Sequence, residues 1–254
     1  MTRRPNRYLT FAYAWVDSVV DPFRLFPLPH FLGYARDCFK YRRMEGAEKI
    51  SLFDTYPCLR DKTARTRIDR HYFYQDIWAF RRIYESKVER HVDVGSRVDF
   101  VGMLTAVINV EFIDIRPLEV SLDRFLSWSG SVLDMPFADN SVASLSSLHV
   151  LEHIGLGRYG DSLNPHGTQQ AARELSRVLA PGGNLFVSMP VGKPRLCFNA
   201  HRIHSPEQIL RYFAGLRLVE FCGIDDAGNF IRNPDVTALG NCEYGCGLFW
   251  FTKE

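Results

Sequence analysis

The sequence is short of several features that would settle its class at once. No stretch reaches the roughly 18 consecutive apolar residues needed to cross a bilayer, so no membrane span is predicted. Its opening, MTRRPNRYLTFAYAWVDSVV, has a basic head and a short apolar run. Asp17 interrupts that run and no small-residue cleavage site follows, so a secretory signal is not expected. The six cysteines (Cys38, Cys58, Cys197, Cys222, Cys242, Cys246) show no zinc-ribbon spacing. Cys242 and Cys246 stand close together without a second ligand pair. Thiols in this arrangement fit a reducing compartment, and a cytoplasmic protein is expected. Internal repeats and low-complexity tracts are missing, and basic residues are not interleaved with aromatics along one face, so nucleic acid is not an expected partner.

What is present is enough for a large core. The chain has 254 residues, of which 46% are hydrophobic, and needs no staples. Its net charge is only +2, but residues 1–90 hold 18 basic against 11 acidic side chains, and residues 91–254 hold 13 against 18. A basic front segment suits an anionic partner or a membrane surface; the plainer alternative is a solvated helical face. HFLGYARDCFKYRRM (30–44) has the look of a basic helix with an aromatic side. It either lies on a membrane interface or packs on its own domain. Peripheral contact at the inner face of the membrane would run through residues 1–44. Pro22, Pro27 and Pro29 break any longer helix before it. Residues 45–70 are irregular and charged, and HYFYQDIWAFRRIYES (71–86) is a helix that could place Tyr72, Tyr74, Gln75 and Trp78 as a lid.

From residue 91 strands and helices alternate, which implies a mostly parallel sheet with right-handed crossovers. Strands are predicted near 91–95, 110–115, 125–130, 142–148, 184–190, 216–222 and 246–252. Helices fall near 98–106, 168–179 and 205–214. The expected division is an N-terminal helical extension or lid, 1–88, and an α/β domain, 89–254.

The successive segments VDVGS, FIDIRP, GSVLDMPFADNSVASLSSLHVLEHI and ELSRVLAPGGNLFVSMP resemble the motifs of class I S-adenosylmethionine-dependent methyltransferases, in order as well as in content. The likeness covers about residues 90–190. GSRVD, IGLGRYGD, NAHRIHSPEQIL and CGLFWFTK are similar to a narrower family of methyltransferase-like proteins linked to bacterial surface polysaccharides. The resemblance implies a Rossmann-like fold with a seven-stranded, mostly parallel sheet, an antiparallel last strand and S-adenosyl-L-methionine as cofactor. The implied reaction is O-methylation of a sugar in a cell-surface glycan or its precursor. The rival is a non-catalytic module of the same fold that scaffolds a glycan-biosynthesis complex. A nicotinamide enzyme is disfavoured, because the turn after the first strand lacks the three-glycine pattern that admits a pyrophosphate.

Each acidic strand end then has an expected role. Gly95 lets the cofactor's methionine part approach the backbone, with Ser96 beside it. Asp93 either holds that turn or accepts from the cofactor's ammonium. Asp114 is placed to accept from both ribose hydroxyls, with Ile115 and Arg116 flanking the adenine. Asp134 would accept from the adenine amino group and Met135 would pack on the ring. Arg97 stands where the family carries a second glycine, and either narrows the slot or points to solvent.

Ser147, His149, Glu152 and His153 cluster after the fourth strand, where the methyl group is delivered. Histidine titrates near neutrality and can take a hydroxyl proton. His149 is the first choice of base and His153 the second, the alternative for His153 being a structural helix cap. In the long loop after it Arg158, Tyr159, Asp161 and His166 are expected to touch the acceptor, joined by His201 and His204 from after the fifth strand. Asp161, His166, His201 and His204 would be the set for a metal, but recognition of hydroxyls is preferred and no metal is assigned. Oligomeric state is left open.

Overall fold

A computed structural model describes residues 28–254. The expectations for residues 1–27 lie outside the described residues. The chain divides into two compact units, at Arg67/Ile68. In the first, helix α1 (Leu28–Tyr41) leads to a single 3₁₀ turn at Leu52–Asp54. Lys62 there pairs with Asp37 over 3.3 Å, and Tyr41 donates to Glu48.

The second unit is one α/β body. Its elements in order are α2 (Arg70–Glu85), β1 (Arg90–Val94), α3 (Val98–Leu104), β2 (Asn109–Asp114), β3 (Phe125–Ser129), β4 (Val142–Leu148), α4 (Gly167–Val178), β5 (Leu179–Val191), β6 (Arg195–Cys197), β7 (His201–Ile203), α5 (Pro206–Tyr212), β8 (Arg217–Ile224), β9 (Phe230–Arg232), α6 (Val236–Gly240) and β10 (Gly245–Thr252). The main sheet runs β3-β2-β1-β4-β5-β10-β8-β9. β1 to β5 are mutually parallel, and β10 pairs antiparallel with β5 and β8. The seven expected strands are all present. An eighth, the three-residue β9, is added antiparallel to β8 at the edge, and β6 and β7 form a separate ribbon. Pro181–Gly183, ahead of the start predicted for the fifth strand near 184, form a bulge inside β5: the register jumps from Val142–Leu179 to Ser144–Asn184.

Helices cover both faces, as the apolar runs of the central strands demand. Ala171, Ala172, Leu175 and Val178 of α4 and Ile209 of α5 pack on one face with Phe249 and Phe251. Trp78, Ala79 and Ile83 of α2 and Phe100, Val101 and Leu104 of α3 pack on the other with Cys246 and Leu248. β10 therefore alternates its side chains between two cores, the period of a buried strand.

The helix expected in the N-terminal extension, 71–86, belongs with the sheet. Arg82 makes a two-pronged ion pair with Glu220 of β8, at 2.6 and 2.7 Å, and Trp78 Nε1 donates to the same carboxylate over 3.2 Å. The boundary at residue 88 thus moves to 67. Asp69 starts this helix, accepting from the His71 and Tyr72 backbone N–H groups. That cap fixes where His71 and Tyr72 stand.

Candidate active site

The turn after β1 is held from beneath by a buried polar chain. His91 and Asp93 are both fully buried on β1. His91 Nδ1 lies 2.7 Å from Ser144 Oγ and Nε2 lies 2.8 Å from Ser146 Oγ, both on β4. Ser146 donates to Asp93 Oδ2, so its oxygen accepts from His91 Nε2–H, and Nδ1 accepts from Ser144. Asp93 also takes Ser96 Oγ–H at 2.7 Å and Ser96 N–H at 3.0 Å. Ser96 Oγ in turn accepts from Leu148 N–H at 3.0 Å. Burial pushes Asp93 up to about 6, against the hydrogen bonds from Ser146 and Ser96 that favour its charge. Burial alone holds His91 down, to about 3. Of the two expected roles for Asp93, the geometry is that of the turn-holder: its oxygens face Ser96 and Ser146.

Above this turn lies a crevice in two adjoining parts. One, of about 390 Å³, is lined by Val94, Gly95, Asp114, Ile115, Arg116, Ser131, Val132, Leu133, Val150 and Ile154, among others. The other, of about 320 Å³, is lined by Tyr72, Gly95, Ser96, Arg97, Asp114 and Leu118. His149, His153, Arg116 and Tyr159 border both. Gly95 has φ +68°, and a Cβ there would stand 3.1 Å from Val150 Cγ1 and 3.6 Å from Asp114 Oδ2. Asp114 Oδ1 accepts from Arg116 N–H at 2.7 Å, which turns the carboxylate across the crevice floor.

Several expected residues lie elsewhere. Asp134 is exposed and lines neither part, because a bridge between Ser131 and Asp134 turns the chain there. Met135 is buried in the core, its N–H donating to Glu174 at 2.8 Å. Ser131, Val132 and Leu133 face the crevice in their place. His166 is exposed at the start of α4 and outside the crevice. His204 is buried beside Tyr212, whose hydroxyl is 3.3 Å from Nδ1, and burial holds it down to about 4. Of the lid residues only Tyr72 reaches the crevice: Gln75 bonds Ser188, Trp78 packs edge-on to Phe186, and Tyr74 packs on Phe230. Arg97 pairs with Asp99 at 2.7 Å and lies 4.8 Å over the Tyr72 ring, so it borders the second part without filling the first.

The loop after β4 forms the outer wall. Asp161 lines it but spends its carboxylate on the loop itself, accepting from Gly155 N–H at 2.6 Å and Tyr159 N–H at 3.3 Å. Burial opposes its charge and those backbone donors outweigh it, so its pKa is held low. Tyr159 has two guanidinium groups near its ring, Arg116 at 4.3 Å and Arg158 at 5.0 Å, and stands edge-on to His153. His201 is edge-on to His153 at 6.4 Å. Asp161 and Tyr159 therefore share the crevice wall, with Arg158 and His201 beside Tyr159 and His153.

The two candidate bases differ in what their nitrogens meet. His149 has φ +55° and both ring nitrogens engaged: Nδ1 is 2.8 Å from Glu152 Oε1 and Nε2 is 3.4 Å from Cys246 Sγ. Burial works against a charge on His149, and Cys246 and Glu152 together outweigh it, so the imidazolium is favoured. Both nitrogens are thus turned to Glu152 and Cys246. His153 Nδ1 instead donates to the Ala200 carbonyl at 2.6 Å, which puts the lone pair on Nε2, 3.6 Å from Glu152 Oε1. The two rings thus differ in what Nε2 meets: Cys246 Sγ for His149 and the Glu152 carboxylate for His153.

The residues that sequence reasoning passed over are His71, Tyr244 and Cys246 around His149, and Ser131 to Leu133 at the crevice. His71 stacks on both His149 and Tyr244, at ring distances of 5.8 and 5.3 Å. Only the fold brings them together. Glu152 is the carboxylate shared by both histidines, 2.8 Å from His149 Nδ1 and 3.6 Å from His153 Nε2, which its place in the sequence cluster does not show.

Residues 105–230, just under half of the chain, match a family described as a Caenorhabditis protein of unknown function, DUF268. No curated protein sequence matches. Among solved structures, a chain from the complex of the Haloferax volcanii Trm112 methyltransferase activator with a methyltransferase is 19% identical, covers 72% of this chain and 90% of its own, and has a TM-score of 0.51. The N-methyltransferase NodS from Bradyrhizobium japonicum WM9, in complex with S-adenosyl-L-homocysteine, is 14% identical over 78% of this chain and 91% of its own, with a TM-score of 0.50. The [4+2]-cyclase SpnF is 16% identical over 70% and 81%, with a TM-score of 0.52. At such identities the likeness speaks for architecture alone, and the cyclase illustrates why architecture does not name a reaction. The second unit of this chain has the Rossmann-like fold of the class I S-adenosylmethionine-dependent methyltransferases.

Proposed function

We propose that the protein is an S-adenosylmethionine-dependent methyltransferase that methylates a hydroxyl oxygen, with a sugar of a glycan or glycan precursor as the acceptor class. The observation that carries the reading is the pairing of Gly95 with Asp114. A carboxylate at the end of β2 stands beside a strand-end glycine in the lining of a crevice of the size that small cofactors occupy. The residues present fit the cofactor. Asp114 is suited to the ribose hydroxyls, and Ile115, Val132 and Leu133 offer apolar walls to an adenine. Arg97, at the border of the second part, offers a cation to the methionine carboxylate. Read this way, Arg97 aids the site instead of narrowing it.

When bound, the cofactor supplies a methyl group on a positively charged sulfur. In-line transfer asks the protein mainly for positioning. His153 Nε2 is the group suited to remove the acceptor's proton, because the Ala200 carbonyl fixes its tautomer and Glu152 stands ready to stabilise the resulting imidazolium. Arg158, Tyr159 and His201 supply polar edges of the kind that recognise sugar hydroxyls. A cytoplasmic setting accords with this reading. Among the described residues, no helix is long and apolar enough to cross a membrane.

The test is calorimetric titration of the full chain with S-adenosylmethionine and S-adenosylhomocysteine, beside Asp114→Ala. Micromolar binding to the wild type, weakened about 10- to 100-fold in the variant, is expected from the loss of charged hydrogen bonds. No binding by a folded wild-type protein would overturn the enzyme reading and leave the non-catalytic scaffold.

A further inference from the structure

The wall that holds His149 also gathers donors that the methyl-transfer reading does not use. His71 comes from the first turn of α2, His149 from just past β4, and Cys246 from β10, 97 residues further on. One donor atom from each lies within 4.8 Å of the other two. His149 Nε2 and Cys246 Sγ are 3.4 Å apart, the edge of a tetrahedron whose metal bonds are about 2.0–2.3 Å. On its far side the same ring gives Nδ1–H to the buried Glu152 carboxylate at 2.8 Å. A carboxylate on the second nitrogen is the arrangement that orients a metal-bound imidazole and raises its basicity. A third cavity, of about 490 Å³, opens onto the cluster and is lined by His71, His149, Asp69, Asp226 and Tyr244.

We propose that His71, His149 and Cys246 form a site for one divalent transition-metal ion of the zinc class, with Glu152 as its outer-shell carboxylate and a fourth position open to the third cavity. Two imidazoles and a thiolate are borderline-to-soft donors, which select zinc or cobalt over magnesium and calcium. Three protein ligands with one open position is the pattern of a site that binds water or an oxygen ligand, in contrast to a closed structural site. His149 Nε2 and Cys246 Sγ already stand at a ligand-to-ligand separation, and His71, half-buried at a helix start, must turn off the face of the His149 ring on which it stacks to bring a nitrogen to the same ion. The acidic groups near the opening do not compete for the role. Asp69 caps α2, and Asp226 accepts from the Glu243 and Tyr244 N–H groups at 2.8 and 2.7 Å. His149 also borders both parts of the crevice, so the ion lies one side chain away from the proposed transfer site. The inference stands without the cofactor reading.

The test is to strip the full-length protein with a chelator and titrate it with cobalt(II), then displace the cobalt with zinc. The expected result is one equivalent bound, tetrahedral visible bands, and a near-ultraviolet thiolate-to-cobalt band. Cys246→Ser should lose the thiolate band, and His71→Ala should weaken zinc at least about 10-fold. A folded wild-type protein that takes up no cobalt or zinc at micromolar concentration would overturn the proposal. So would a thiolate band that survives in Cys246→Ser. If that buried variant does not fold, His71→Ala decides alone: unchanged zinc affinity overturns the site. S-adenosylhomocysteine titrated into the same metal-free sample reports on the cofactor reading separately.

Discussion

His149 Nδ1 donates to Glu152 Oε1 over 2.8 Å in a pair with side chains only 5% and 1% exposed. The other carboxylate oxygen, Glu152 Oε2, is buried with no hydrogen-bond partner among the described residues. Burial raises the cost of Glu152's charge, and His149 and His153 outweigh that cost, holding its pKa low. In the metal-free protein Glu152→Gln leaves His149, whose protonated form Glu152 and Cys246 favour, without its buried counter-charge, and one-sided loss of such a pair costs about 3 kcal/mol. Urea unfolding should show that loss. A change below about 1 kcal/mol would mean that the pair is not ionised.

Gly95 is the position where a single methyl group separates folding from binding. Its φ of +68° costs an alanine about 1–2 kcal/mol. The new Cβ, 3.1 Å from Val150 Cγ1, must push that side chain into the crevice or itself project there. Gly95→Ala is therefore expected to stay folded, lose about 1–2 kcal/mol in urea, and bind S-adenosylhomocysteine at least about 10-fold more weakly. Unchanged affinity would remove this turn from the cofactor site.

His91 and Asp93 pull stability in opposite directions through Ser146. An ordinary histidine titrates at 6.5 and His91 is held to about 3, so the unfolded chain takes a proton that the folded one refuses. Its contribution to stability is lost as pH falls from 6.5 towards 3. Asp93 is raised from 3.8 to about 6, so the folded chain keeps a proton that the unfolded one has lost. That contribution is lost as pH rises from 3.8 to 6. In the shared window the two slopes, about 1.4 kcal/mol per pH unit each, nearly cancel. His91→Gln removes one of them. Its stability relative to wild type is expected to fall with rising pH between about pH 4 and 6, by up to about 1.4 kcal/mol per unit. Urea curves at three pH values test this, and a variant that parallels the wild type would reject the opposition.

What could be read in advance was what is local in the chain. Val92, Val94 and Gly95 announce strand and turn within four residues, and Asp114 ends its strand wherever the sheet packs. The error at Asp134 and Met135 is one of register: the turn closed between Ser131 and Asp134 presents the preceding three residues to the crevice, and spacing alone does not show it. His204 reads as a partner of His201, but positions an odd number of residues apart along an extended strand face opposite ways, and it turns inward to Tyr212. The surroundings of His149 were out of reach because His71 and Cys246 arrive from an N-terminal helix and the last strand. The same fact decides which histidine keeps a free nitrogen.

That choice is itself testable. His153 Nδ1 is fixed by the Ala200 carbonyl at 2.6 Å and the residue borders both parts of the crevice, whereas His149 has each nitrogen engaged. Once screening of hydroxyl-bearing sugars yields an acceptor, His153→Gln is expected to lower kcat about 10²- to 10⁴-fold, the range of a positioned general base. Glutamine can keep a hydrogen bond to the Ala200 carbonyl but cannot take up a proton, so S-adenosylhomocysteine affinity and stability should hold. His149→Gln is expected to act differently, through stability and zinc affinity, because its ring braces Glu152 and Cys246. If turnover instead survives in His153→Gln and vanishes in a folded His149→Gln, the base is His149, and its contact with Cys246 must break before each transfer.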